Sequence, residues 1–82
     1  MKTKEAIFGC IQQLLVEVFE IPHERIVREA DIYKDLDFDS LDAVELAVRL
    51  GAETGISLQE DDLRAIRTIG DTVDILYQRG NS

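Results

Sequence analysis

The residue whose setting most favours chemistry is Ser40, in the run Asp39-Ser40-Leu41-Asp42 at the end of a long polar stretch. The pattern predicts a helix start, because the Asp39 carboxylate can accept from the backbone N–H of Leu41 or Asp42 as an N-cap. The Ser40 hydroxyl would then lie near the positive end of the helix dipole, where backbone donors favour an anion such as a phosphate ester. The negative charges of Asp39 and Asp42 would repel such an anion and so offset part of this stabilisation. Taken alone, these four residues are more typical of plain helix capping.

Catalysis by this serine is not indicated. The chain lacks a Gly-x-Ser-x-Gly turn, and His23 is its only imidazole. A serine hydroxyl without an adjacent base is a poor nucleophile, so a second protein would have to supply that base. We therefore predict no catalytic residue and interpret His23 as a surface loop residue. Cys10, the only cysteine, excludes an intrachain disulfide and is interpreted as a packing residue.

A metal site is also not indicated. Asp35, Asp37 and Asp39 match the first three ligand positions of a calcium-binding EF-hand loop. The match then fails, because Ser40 replaces the glycine of the sharp turn and Leu46 replaces the bidentate glutamate. We expect no resident metal.

Apolar residues recur at three- and four-residue steps in several segments, which predicts amphipathic helices. We predict three longer helices at about 3–19, 40–53 and 68–80 and a short one within 59–66. In the last helix, we expect Ile69, Val73, Leu76 and Tyr77 to face inward. The second helix has an apolar face broader than a single-sided surface helix needs, formed by Leu41, Ala43, Val44, Leu46, Ala47, Val48 and Leu50. A long first loop, with a helical turn near 23–27, connects the first two helices through apolar anchors at Ile26, Val27, Ile32, Leu36 and Phe38. The predicted fold is all-α, a small four-helix bundle forming a single domain over residues 1–82.

The charge balance narrows the classes of partner. Nine basic and seventeen acidic side chains give a formal charge of −8. Such a surface repels phosphate backbones and anionic membranes, so we expect neither nucleic-acid binding nor membrane insertion. It favours basic patches on protein partners instead. We see no signal peptide or membrane span and expect a cytoplasmic monomer.

The most informative stretch comprises Ala30-Asp31-Ile32 and Asp35-Leu36-Asp37-Phe38-Asp39-Ser40-Leu41-Asp42-Ala43-Val44-Glu45-Leu46. It closely resembles the prosthetic-group site of acyl carrier proteins, and the resemblance extends over nearly the whole chain. It implies that Ser40, within the motif Asp39-Ser40-Leu41, carries a covalent 4′-phosphopantetheine arm donated from coenzyme A. The thiol of that arm would hold acyl intermediates as thioesters for fatty-acid, polyketide or related lipid synthesis.

The resemblance also implies partners and a shelter for the cargo. A phosphopantetheinyl transferase would modify the serine, and acyl-transferring or condensing enzymes with basic patches would dock on the second helix. The docking residues would be Asp39, Asp42, Glu45 and Arg49. An acyl pocket between the second and third helices would be lined by Leu46, Leu50, Leu63 and Ile66.

Three departures from the family pattern indicate a specialised stand-alone carrier. Asp37 stands where the usual motif has glycine, which would alter the turn of the loop. Leu63 stands where the family often has a smaller residue, which predicts a shorter pocket. The stretch Gly51-Ala52-Glu53-Thr54 lacks two of the acids and the phenylalanine that many fatty-acid carriers have there. The alternative hypothesis is an acidic helical adaptor that binds a basic partner without a prosthetic group.

Overall fold

The computed structural model describes residues 3–80, in which four α-helices follow one another along the chain. They are α1 Lys4–Glu17, α2 Ser40–Thr54, α3 Glu60–Ala65 and α4 Ile69–Gly80. The long connection between α1 and α2 contains a 3-10 turn at His23–Arg25. Within the described residues there is no β-strand beyond an isolated bridge between Asp31 and Thr68. The predicted all-α bundle, with one short helix and a long first loop, is confirmed.

Local capping chemistry explains where the helices begin and end. The Thr3 hydroxyl accepts the backbone N–H three residues on, at 3.1 Å, and opens α1. Gly55 ends α2 in the left-handed conformation, with φ 73°, which glycine adopts without steric cost. Thr68 and Asp71 open α4 reciprocally: Asp71 N–H donates to the Thr68 hydroxyl at 3.0 Å, and Thr68 N–H to the Asp71 carboxylate at 3.1 Å.

The core receives side chains from α1, α2 and α4, from the first loop and from Ile66, which follows α3. α1 packs against both α2 and α4, while α3 contacts α2. The buried apolar residues are Ile7, Ile11, Leu15, Ile26, Ala30, Ile32, Leu36, Phe38, Leu46, Leu50, Ile66, Ile69, Val73 and Leu76. Because five of these come from the loop, it is a packed element that helps to fix the start of α2.

Backbone hydrogen bonds hold this loop against the start of α4. Ile69 N–H donates to the Ala30 carbonyl at 3.1 Å, and Gly70 N–H donates to the Arg28 carbonyl at 2.9 Å. The approach is so close that a Cβ on Gly70 would lie 3.2 Å from the Arg28 carbonyl oxygen. A glycine at this position therefore lets the loop reach the helix.

Two residues predicted to be inside lie at the surface. Tyr77 is 36% exposed, with the Lys4 ammonium 5.3 Å from its ring centroid. It lies at the edge of the buried stripe of α4, about 100° around the helix from Leu76, which is fully buried. Val27 is 45% exposed, because Ile26 before it is extended and buried, and successive side chains of extended backbone point to opposite sides.

Within residues 3–80, no helix combines the length and the apolar character needed to cross a membrane.

Candidate functional site

Ser40 is the first residue of α2 and is exposed. Asp39 precedes it as N-cap: the Asp39 carboxylate accepts from Asp42 N–H at 2.9 Å, and the Asp42 carboxylate accepts from Asp39 N–H at 3.2 Å. The predicted cap is confirmed. The return bond from Asp42 was not predicted, although Asp-x-x-Asp has the spacing of a capping box. Within the described residues, the Ser40 hydroxyl makes no hydrogen bond to protein, so it is available to a reagent from solvent.

The residues just before the helix hold its start in place. Phe38 is buried and its ring packs on Phe19, with 4.8 Å between the centroids. Asp37 has φ 58°, in the left-handed region that favours glycine. The residue that departs from the family pattern therefore adopts the conformation for which glycine is best suited. Asp and Asn tolerate this region better than other side chains, so the turn survives the substitution.

The upstream acids stabilise the loop. The Asp31 carboxylate accepts from the backbone N–H groups of Tyr33 and Lys34, both at 2.8 Å, and the Asp35 carboxylate accepts from Asp31 N–H at 2.7 Å. The Lys34 N–H bond is the largest of the causes that hold the pKa of Asp31 below its ordinary value. Across the described part of the chain, no group of three or more His, Cys, Asp or Glu side chains could hold a metal ion.

The exposed side of α2 carries both charge and apolar surface. Glu45 and Arg49 form a salt bridge, with 3.1 Å between the Glu45 carboxylate and Arg49 Nε. Leu41, Val44 and Val48 lie in solvent, with 77%, 48% and 67% of their surfaces exposed.

The broad apolar face expected of this helix is therefore present, but only one side of it is buried. Leu46 and Leu50 lie on the buried side, whereas Leu41, Val44 and Val48 lie on the exposed side. Ala47 lies between the two sides, because successive residues turn by about 100°.

The four predicted acyl-pocket residues do meet. Leu46, Leu50, Leu63 and Ile66 line one internal pocket between α2 and α3, but its volume is only about 10 Å³. That is about the space one water molecule needs. Sequence reasoning missed the other lining residues, which are Ile32, Tyr33, Ala43, Ala47, Leu58 and Thr72. Of these residues, only Ala43 and Ala47 could have been predicted, because helical periodicity places them beside Leu46 and Leu50 on α2.

Comparison with known proteins identifies the family of this chain. A family model described as a phosphopantetheine attachment site matches residues 11–76. The chain is 40% identical over 72 residues to an acyl carrier protein of Saccharopolyspora erythraea, covering 88% of this chain and 76% of that one. The chain belongs to the acyl carrier protein family. It is also 35% identical over 71 residues to acyl carrier protein 2 of Ralstonia nicotianae, covering 87% and 88%.

A solved acyl carrier protein of Enterococcus faecalis superposes with a TM-score of 0.79 at 24% identity, covering 95% of this chain and 99% of that one. This match confirms the fold.

Membership of this family defines the kind of molecule. Acyl carrier proteins carry acyl groups on a 4′-phosphopantetheine arm, are not themselves enzymes, and interact with a phosphopantetheinyl transferase and with biosynthetic enzymes. The residues present fit such an arm, because the structure offers an exposed serine hydroxyl at a helix start whose first-turn backbone N–H groups favour an anion.

In this acyl carrier protein a partly buried ion pair ties α3 to the end of α4. The Asp62 carboxylate accepts from Arg79 Nε at 3.0 Å and Arg79 Nη2 at 2.6 Å, and from Gln59 N–H at 2.9 Å. The Arg79 hydrogen bonds are the main reason why the pKa of Asp62 is lowered, and the same pair raises the pKa of Arg79. Because the partners are seventeen residues apart, no local sequence pattern indicates the pair.

Proposed function

We propose that Ser40 is the residue that holds the 4′-phosphopantetheine arm. The observation that carries this proposal is the exposed Ser40 hydroxyl at the first position of α2, inside the region matched by the phosphopantetheine attachment family. The reciprocal Asp39–Asp42 cap fixes the direction in which the serine projects. Backbone N–H groups of the first helical turn offset part of the negative charge of a phosphodiester there.

The chain supplies the acceptor for the modification but not its catalyst. No base lies within hydrogen-bond distance of the Ser40 hydroxyl in the described residues, so the transferase removes the proton and binds coenzyme A. The serine oxygen then bonds to the phosphorus next to the pantetheine, and the other half of the coenzyme leaves with its remaining phosphate groups.

Docking is proposed to use the acidic start and the exposed side of α2. The proposed docking residues are Asp39, Asp42, Glu45 and Arg49. Asp39 and Asp42 are turned towards the helix start, so they would act mainly through their negative field, whereas Glu45 projects from the side of the helix and is engaged by Arg49. Partners with basic patches would include the transferase and acyl-transferring or condensing enzymes of fatty-acid, polyketide or related lipid synthesis. We propose that this chain meets them in the cytoplasm as a monomer.

The internal pocket has room for little cargo. Leu46, Leu50, Leu63 and Ile66 leave about 10 Å³ between them, and the half-buried Leu63 occupies space that a smaller residue would leave open. We propose these four residues as an acyl pocket that a chain enters only when α3 moves away from α2. α3 resists that movement through Asp62 and Arg79.

Two successive mass gains test the carrier function against the adaptor hypothesis. The purified chain is incubated with coenzyme A, magnesium and a phosphopantetheinyl transferase, and then with an acyl donor and an acyl-loading enzyme. The carrier function predicts a gain of one phosphopantetheine followed by one acyl group, and hydroxylamine should remove only the acyl group because it cleaves thioesters. If neither gain occurs under conditions that convert a known carrier, the adaptor hypothesis is favoured.

A further inference from the structure

A groove runs along the outer side of α2 next to the small internal pocket. Its volume is about 320 Å³, against about 10 Å³ for the internal pocket. It is lined by Val44, Ala47, Val48, Gly51, Gly55, Ile56, Ser57, Leu58 and Leu63. None of these side chains is ionisable, so the groove offers apolar surface on a chain whose formal charge is −8.

The groove and the internal pocket share a wall. Ala47, Leu58 and Leu63 line both. The large Leu63 side chain fills space on the inner side of this wall, while Gly51 and Gly55 add no side-chain bulk on the outer side. This shared wall therefore leaves little room for an acyl chain on its inner side, whereas the groove on its outer side has room for one.

We propose that, as long as α3 stays against α2, the acyl chain carried by this protein rests in the outer groove of α2 and not in the internal pocket. The proposal rests on attachment at Ser40, as proposed above. Along a helix that rises 1.5 Å per residue, the groove extends from about 6 Å beyond Ser40, at Val44, to about 16 Å, at Gly51. The arm is about as long as four residues of chain, roughly 15 Å when extended, so its thiol can reach most of the groove.

Attachment also favours the acyl chain over other occupants of the groove. A group tethered to Ser40 meets the groove at an effective concentration of order millimolar, without a second molecule having to bind. The lining gives an alkyl chain apolar contact and gives a charged peptide no ionisable partner. The volume is about twice that of a 150 Å³ cavity that accommodates benzene, so a chain of about eight carbons fits.

Isotope-filtered NMR of the octanoyl carrier tests the proposal. The octanoyl group is ¹³C-labelled on the arm, and its contacts to protein methyl groups are measured. The proposal predicts contacts to Val48 and Ile56, which line only the groove. Contacts to Leu46 and Ile66 without Val48 or Ile56 would place the chain in the core and overturn the proposal, as would a chain that contacts no methyl group.

A matched pair of substitutions gives a second readout. Val48→Asp places a charge in the groove, whereas Val16→Asp makes the same change at another exposed valine, on α1 and outside the groove lining. The rise in melting temperature on octanoylation should be lost in Val48→Asp and retained in Val16→Asp. Equal rises in both variants would contradict the groove.

The experiments distinguish a failure of the groove proposal from a failure of the proposal that Ser40 is the attachment residue. If Ser40 is not modified, the attachment proposal fails. The groove is then tested with free octanoyl-pantetheine titrated into the unmodified protein, using the same methyl contacts. Contacts to Val48 and Ile56 would support the groove alone, and their absence at saturating ligand would overturn it.

Discussion

Replacing Asp39 by alanine tests how the helix start holds Ser40. The substitution removes the carboxylate that accepts from Asp42 N–H at 2.9 Å, while the return bond from Asp42 to the backbone of residue 39 can persist. Loss of one N-cap side chain costs about 0.5–2 kcal/mol, typically about 1 kcal/mol. In a domain of this size, 1 kcal/mol lowers the melting temperature by about 4–8 °C. We expect a shift in that range, measured by circular dichroism and checked by urea unfolding.

Asp39→Asn separates the cap from the charge. Asparagine caps helices about as well as aspartate, so this variant should keep its unfolding free energy within about 0.5 kcal/mol of wild type. It should still slow phosphopantetheinyl transfer at low salt, because a negative charge is lost next to Ser40. An unchanged melting temperature in Asp39→Ala would refute the capping argument. An Asn variant as unstable as the Ala variant would show that charge, rather than the hydrogen bond, stabilises the helix start.

Three further outcomes are expected. Glu45→Lys should slow modification of Ser40 at low salt more than Glu17→Lys does, which makes the same charge change on α1. Added salt should reduce this difference in rate. Equal rates for the two variants at low salt would show that the acidic side of α2 has no docking role. Asp37→Gly should be as stable as wild type, or more stable by up to about 1 kcal/mol in urea unfolding, because glycine adopts the φ of 58° at this position without steric cost. Asp37→Ala should be less stable than wild type. The reverse order of stability would contradict backbone strain at this position. The lowered pKa of Asp62 contributes stability that is complete above the ordinary carboxyl value of 3.8 and is lost as the pH falls below it through the folded-state pKa. Melting temperature against pH should therefore fall less steeply in acid for Asp62→Asn than for wild type, and parallel curves would show that this carboxylate contributes nothing to acid sensitivity.

The parts of this fold that depend on neighbouring residues were predictable from the sequence. Thr3, Asp39, Gly55 and Thr68 mark helix ends through bonds or backbone conformations that span only a few residues. Their chemistry is the same in any fold, so helix number, order and approximate bounds followed from them. The position of Ser40 at the start of α2 followed in the same way.

What depends on distant parts of the chain was not predictable. Periodicity placed Val48 and Leu46 on one broad apolar face of α2, but packing buries only Leu46 and leaves Val48 in solvent. The small internal pocket depends on Tyr33 from the first loop, and the ion pair that holds α3 depends on Arg79 at the end of α4. These contacts form only when separate segments meet, and no local pattern indicates them.

The central claim is that Ser40 carries the arm, and one matched comparison of intact masses tests it most directly. Wild type, Ser40→Ala and Ser57→Ala are each treated with coenzyme A, magnesium and a phosphopantetheinyl transferase, and circular dichroism checks that all three are folded. Both serines are exposed, but Ser57 lies in the connection after α2 and not at a helix start. We expect wild type and Ser57→Ala each to gain one phosphopantetheine and folded Ser40→Ala to gain none. Modification of Ser40→Ala, or no modification of wild type under conditions that convert a known carrier, would contradict it.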